Sequence, residues 1–348
     1  MKRTSIKTFT ILSLLTTTII FSACAQQQST PQAPPAQQQQ QQEPAQEVEA
    51  EVDFPTRTIN ITAPFAPGGG TDLSARTFQT VAPAFFNNVN FTVSNVTGGG
   101  GAVWFSQGFM QEPTGYEATQ VTVEITTLPL LQDVPFTVDD YAFIAMSANN
   151  TAAISVLYDS PWETIEDFLE DARTRPGEVS IGTSGPNAIW DLHAHAVSQA
   201  AGVTFNHVPY EGAAAAIVAL MGGEIDSVAV SANEVHTHVL DGTFRVLAVA
   251  ANERLSFLPD VPTYQELGIP VPAIGGWNGM ALPAATPPEI IQRFAELAEQ
   301  VMLSDEFLEL MERQNLTAVF MNHQDFTAFV REQSEFFSNL IVDLGLAE

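Results

Sequence analysis

The 348-residue chain carries 12 Lys and Arg against 40 Asp and Glu, for a formal net charge of −28, and it holds a single cysteine. A surface this acidic repels phosphate and argues against nucleic acid as a partner, and one cysteine admits no intrachain disulfide. With 45% hydrophobic residues, the chain is long enough for one large or two medium domains with filled cores.

The first predicted element is an export signal. Lys2, Arg3 and Lys7 precede an apolar stretch from Phe9 to Phe21, which then meets Ser22-Ala23-Cys24. The stretch is shorter than the ~20 apolar residues a membrane helix needs, so residues 1–23 read as a cleaved signal. Cys24 follows small residues as in the lipobox of bacterial lipoproteins, although Phe21 stands where that pattern usually has Leu. The expectation is lipid attachment at Cys24, with the exported protein held at the cell envelope, periplasmic or on the outer face of the cytoplasmic membrane. Residues 24–52 are mostly Gln, Pro, Ala and Glu. They have too little to bury to offset the entropy of ordering, and read as a disordered tether. All acidic residues and no lysine lie beyond the signal, a composition suited to saline or alkaline surroundings, where salt screens self-repulsion.

Thr58 to Ala63 and Val121 to Ile125 alternate with period two, whereas Leu73 to Phe86 repeats apolar residues at helical spacing. Val179 to Gly182 is again a short strand, followed by the small-residue loop Thr183 to Asn187 and a helix from Ile189 to Ala200. This alternation predicts an α/β fold with largely parallel sheets. Helix starts are expected at Ser160-Pro161-Trp162-Glu163, at Thr286-Pro287-Pro288-Glu289 and at the Ser231/Glu234 capping box, with stops at Gly242 and Gly268. C-terminal helices are expected to bury Ile290, Phe294, Leu297 and Val301, then Phe326, Phe329, Phe336 and Leu340. Chain reversals suggest one lobe from residues 53–152 and 255–348 and a second from 153–254.

The run Pro64-Phe65-Ala66-Pro67-Gly68-Gly69-Gly70-Thr71-Asp72 joins a strand to a helix. With side chains nearly absent, its backbone N–H groups can approach a ligand, and the helix adds its positive end. The loop Thr183 to Asn187 repeats this arrangement in the second lobe. The predicted ligand residues are therefore Phe65, Gly69, Gly70, Thr71 and Asp72, then Thr183, Ser184 and Gly185, with Thr126 and Thr127 as hydroxyl donors at a strand end. Asp72 is expected to cap its helix or order a water, and Arg76 to make an ion pair. Trp190, Trp277 and Phe65 are candidates for an aromatic wall.

Other chemistries fit less well. No Gly-Lys-Ser/Thr follows the first glycine run, which argues against a P-loop. Gly98 to Gly101 lacks the context of a dinucleotide fingerprint and reads as a flexible turn near the cleft. His193 and His195, like His236 and His238, are two apart and so face different sides of a helix, against a metal site. No cofactor is expected. Ser184 could serve an exported hydrolase, yet Gly182-Thr183-Ser184-Gly185-Pro186 is not a Gly-x-Ser-x-Gly elbow. A sensor presenting solute to a signalling partner is a further alternative.

Taken together, several motifs resemble the extracytoplasmic solute-binding proteins of tripartite tricarboxylate transporters, the Bug or TctC family. They are the first glycine run with Arg76; Asn95 with Gly98 to Gly101; Gly115-Tyr116; Val208-Pro209-Tyr210-Glu211-Gly212; Gly222-Gly223-Glu224-Ile225-Asp226; and Pro259-Asp260-Val261-Pro262-Thr263 through Gly268. The resemblance implies a two-lobed periplasmic-binding-protein fold, type II-like, whose two loops hold a carboxylate in the interlobe cleft. It also implies a non-enzymatic protein that delivers a small organic acid to membrane permease subunits. Where relatives often have Ser-x-x-His-Leu, this chain has Ala188-Ile189-Trp190-Asp191-Leu192, so Asp191 takes the histidine position and joins the expected ligand residues. Val96 replaces a lysine common after Asn95.

Overall fold

A computed structural model describes residues 53–346; the expected signal, Cys24 and the tether lie outside them. The first half of the fold runs β1 (Ile59–Ala63), α1 (Gly70–Val81), β2 (Phe91–Asn95), α2 (Ala102–Gly108), β3 (Glu117–Thr122) and α3 (Glu124–Leu131). A 17-residue strand, β4 (Tyr141–Leu157), leads into α4 (Ile165–Thr174), β5 (Ser180–Thr183), α5 (Ile189–Ala201), β6 (Asn206–Pro209), α6 (Ala213–Met221), β7 (Ser227–Ser231), α7 (Ala232–Leu240) and β8 (Phe244–Val249). The chain closes with β9 (Gly275–Pro283), α8 (Pro288–Met302), α9 (Asp305–Arg313), β10 (Ala318–Met321) and α10 (His323–Asp343).

Strand β4 explains how one chain makes two halves. Its first part, Tyr141 to Thr151, pairs antiparallel with β9, and β10 joins it at Met146 and Ala148. Its last part, Ala152 to Leu157, pairs instead with β7 and β8. Register shifts between Phe143 and Ala145 and between Met146 and Ala148 bend the strand as bulges do. Around it the sheet order is β2-β1-β3-β9-β4-β7-β5-β6. The β1, β2 and β3 pairings are parallel, as are those of β5 with β6 and β7.

Parallel strands need helical crossovers, and these cover the sheet faces. In the first half, Phe78, Phe86 and Phe91 meet edge to face at centroid separations of 5.1–5.9 Å, a geometry that matches the ring quadrupoles. Phe294 of α8 joins them 5.2 Å from Phe86.

Several expectations shift by a residue or more. The strand expected at Val121–Ile125 ends at Thr122, and a helix begins at Glu124. Helix α4 is capped by Thr164, whose hydroxyl and Asp167 form a reciprocal box, rather than by Ser160. At α8 the cap position is Pro287, leaving the buried Thr286 hydroxyl without a partner. No helix ends at Gly268, which supplies a positive φ of 69° in a turn. On α10 the buried stripe is Phe326, Val330, Phe337 and Ile341, while Phe336 is exposed; burial follows the face turned to β4 and α3. The Ser231/Glu234 capping box forms as expected.

Candidate functional site

In open α/β sheets, ligands bind beyond the carboxyl ends of the parallel strands. Here those ends converge. Phe65 follows β1, Glu124 follows β3, Ser184 follows β5 and Glu234 follows β7; all four line one cleft of about 470 Å³ of empty space, part of it open to solvent. Gly69, Gly70 and Thr71 line it at the start of α1, Ile189 and Trp190 at the start of α5. Asn150 of β4 and Trp277 of β9 form its floor, beside Asn278.

The α1 loop has its shape because Gly68 takes φ +90°, a conformation that favours glycine. Asp72, only 2% exposed, folds back to accept from the Gly68 N–H at 3.0 Å, from Arg76 at 2.9 Å and from Asn95 at 2.9 Å. Burial pushes its carboxyl up, but Arg76, the Gly68 N–H and Asn95 together hold it below the usual aspartate range. The α5 loop repeats this fold-back. Asp191 accepts from the Asn187 N–H at 3.0 Å and pairs with His207 at 2.7 Å. Burial opposes its ionisation, and the His207 and Asn187 contacts bring it below its ordinary value.

Each helix tip also holds a carboxylate from across the cleft. The Gly70 N–H donates to Glu234 Oε1 at 3.0 Å, and the Ile189 N–H donates to Glu124 Oε1 at 3.0 Å. Burial raises the Glu124 carboxyl above its ordinary range, opposed by donors from Thr122 and Ile189 and reinforced by the charge of Glu234. A backbone bond from the Ala66 N–H to the Glu211 carbonyl, 3.1 Å, also crosses between the halves. Farther along the rim, Gly100 and Gly185 approach so closely that a Cβ on Gly100 would stand 2.7 Å from the Pro186 carbonyl oxygen.

The structure brings Phe65, Gly69, Gly70, Thr71 and Ser184 together at the cleft and leaves other expected residues outside its lining. Asp72 and Asp191 accept from the loop N–H groups of Gly68 and Asn187 ahead of their helices, neither of which has a side-chain cap hydrogen bond. Thr126 and Thr127 lie inside α3 rather than at a strand end, their hydroxyls bonded to the Val123 and Glu124 carbonyls. Thr183 is the last residue of β5 and fully buried, and Gly185 supports the turn at φ +134°. Arg76 makes the expected ion pair, with Asp72.

Glu124 and Glu234 line the cleft unforeseen. Glu124 falls on a polar position in the alternation of Val121, Val123 and Ile125, which masks it as part of a strand. A second unforeseen cluster joins Asp191, His195 and His207, whose candidate ligand atoms all lie within 4.8 Å of one another. The 2.7 Å Asp191–His207 contact is the length of a charge-assisted hydrogen bond. The two imidazoles stack at 4.1 Å between centroids.

Residues 89–346 match the family model described as "Tripartite tricarboxylate transporter family receptor". A protein from the gbd 5' region of Cupriavidus necator is 28% identical over 306 residues, covering 87% of this chain and 93% of that one. A ligand-free TctC solute-binding protein from Polaromonas is 32% identical, covering 83% of this chain and 99% of its own, with a TM-score of 0.63. Two Rhodopseudomonas palustris proteins share the fold. MatC, solved with malate, is 19% identical, covers 83% of this chain and 100% of its own, and has a TM-score of 0.77. The other, solved with adipate, is 23% identical, covers 85% and 99%, and has a TM-score of 0.79.

Proposed function

Starting from the fact that this chain belongs to the tripartite tricarboxylate transporter receptor family, we propose that it captures a small carboxylate between α1 and α5 and delivers it to membrane permease subunits. One observation carries this reading: the tips of both helices already receive carboxylate oxygens across the cleft, each at 3.0 Å. A helix N-terminus carries unpaired N–H groups and about half a positive charge, so no lysine or arginine is needed to hold an acid there. The malate and adipate complexes of proteins with the same fold support the ligand class.

Ser184 is the protein donor best suited to the incoming acid. It is 5% exposed, lines the cleft, and its hydroxyl has no partner, a state that costs about 1–3 kcal/mol in a buried group. The same observation weakens a hydrolase reading, because a serine nucleophile needs a base within hydrogen-bond reach. Binding occurs without turnover.

We assign residues 53–152 to the first lobe and place the chain's return to it at β9. Val249 bridges to Thr263 and the Tyr264 N–H donates to the Val249 carbonyl, so the segment after β8 stays with the second lobe beyond residue 255. The protein is exported, attached through lipid at Cys24 and held off the membrane by residues 24–52. Among the described residues, no helix is long and apolar enough to cross a bilayer.

Thermal-shift titration of the purified protein with malate, adipate and citrate tests the proposal. An acid present at 100 times its Kd raises apparent stability by about 2.7 kcal/mol. An unchanged melting temperature with all three acids and with glutamate contradicts it.

A further inference from the structure

We propose that the preferred ligand is a zwitterion, a carboxylate that also carries a cationic nitrogen, and that Glu124 receives the nitrogen. This rests on the reading of the cleft as the solute site. Among the described residues the cleft is lined by no lysine, arginine or histidine, yet Glu124 and Glu234 both line it. A ligand with only carboxylates would add negative charge beside two of them. A cationic nitrogen turns that repulsion into attraction, in a place where low dielectric strengthens both.

The geometry separates the ends of such a ligand. Glu124 is 2% exposed and its two oxygens accept from Thr122 Oγ1 and the Ile189 N–H. A carboxylate offers about four acceptor sites, so capacity remains for an ammonium donor. The indoles of Trp190 and Trp277 and the ring of Phe65 line the same space, and aromatic faces attract cations through their quadrupoles. The carboxylate end has its own donor in the unpartnered Ser184 hydroxyl, an independent sign that this cleft is built for a polar guest. Burial raises the Glu124 carboxyl; a bound cation offsets that cost.

The test is isothermal titration of the purified protein with matched pairs differing at one nitrogen. Suitable pairs are glutamate and glutarate, 4-aminobutyrate and butyrate, and glycine betaine and its carbon isostere 3,3-dimethylbutyrate. The expected result is that at least one zwitterion binds at least tenfold more tightly than its nitrogen-free partner. Glu124→Gln, which keeps an acceptor for Ile189, should reduce that ratio to threefold or less, and Glu124→Asp should restore part of it. Circular dichroism and a melting curve establish that each variant is folded. Tighter binding of the nitrogen-free acids by the wild-type protein overturns the inference and leaves the solute-binding reading intact. An unchanged ratio in folded Glu124→Gln overturns the role of Glu124. Binding of neither member of any pair, with malate and adipate also inert, overturns both readings.

Discussion

The carboxylate of Glu124 accepts the Ile189 N–H at 3.0 Å across the cleft, and Glu234 makes the mirror contact to Gly70 at the same distance. Each half of the molecule thus lends an acid to the helix tip of the other. Asp72 and Asp191, by contrast, accept from the N–H groups four residues before them, in the loops that lead into their own helices. Local acids shape the loops, and distant acids hold the loops together. A closed form is favoured only by contacts the open form lacks, and contacts that cross between the halves, as these two do, are the ones that parting the halves would break.

Glu234 has two tasks, since its other oxygen accepts from Ser231 in the α7 capping box. Glu234→Ala should therefore cost about 1–3 kcal/mol in urea unfolding, from the lost cap and the unpaired Gly70 donor. It should also raise the radius of gyration in small-angle scattering, because the cleft loses a crossing contact. Stability equal to wild type would show that neither bond matters.

Gly100 is a point of close approach to the Pro186 backbone. Its φ is +65° and an added Cβ would stand 2.7 Å from the backbone oxygen of Pro186, which cannot yield as a side-chain end can. Gly100→Ala should hold the rim apart and weaken ligand affinity at least tenfold by titration calorimetry. Wild-type affinity in that variant would mean that closure does not depend on this contact.

His193 should make the fold sensitive to acid. It is fully buried without a hydrogen-bond partner, 5.7 Å from the Tyr264 ring, and burial pushes its imidazole down to about 3. The unfolded chain binds a proton below about 6.5, the native state only near 3, so its contribution is intact above the ordinary value and lost as pH falls through that window. Denaturation at pH 4 and pH 7 should show His193→Leu narrowing the stability gap by on the order of a kcal/mol per pH unit. The same gap in both proteins would assign the acid lability elsewhere.

The net charge of −28 makes a prediction about salt. Screening shortens to about 3 Å at 1 M ionic strength, so the melting temperature should rise from dilute buffer to molar sodium chloride. A flat profile would remove the case for a saline habitat.

Much of the site was legible because its determinants are local. Small residues between an alternating strand and an amphipathic helix marked both loops, and these bring Gly69 and Ser184 to one cleft. The pairing of Glu234 with Gly70 was not legible, since it links residues 164 positions apart and nothing in a capping box reveals what else its acid touches. Glu124 and the threonines after it were misplaced for a different reason. Val121 to Thr127 is rich in β-branched residues, which favour strands, while burial against α10 and the cleft makes the segment turn into a helix at Glu124. His207 lies in β6 and Asp191 and His195 in α5, so the three meet only through tertiary packing of α5 on β6.

The most direct test is a crystal structure of the protein with the tightest-binding acid from the titrations. The account predicts a ligand carboxylate between α1 and α5, within 3.5 Å of Ser184 Oγ and of a backbone N–H at a helix tip. A ligand bound outside this cleft, or one inside it whose carboxylate touches neither Ser184 nor a helix tip, would contradict it.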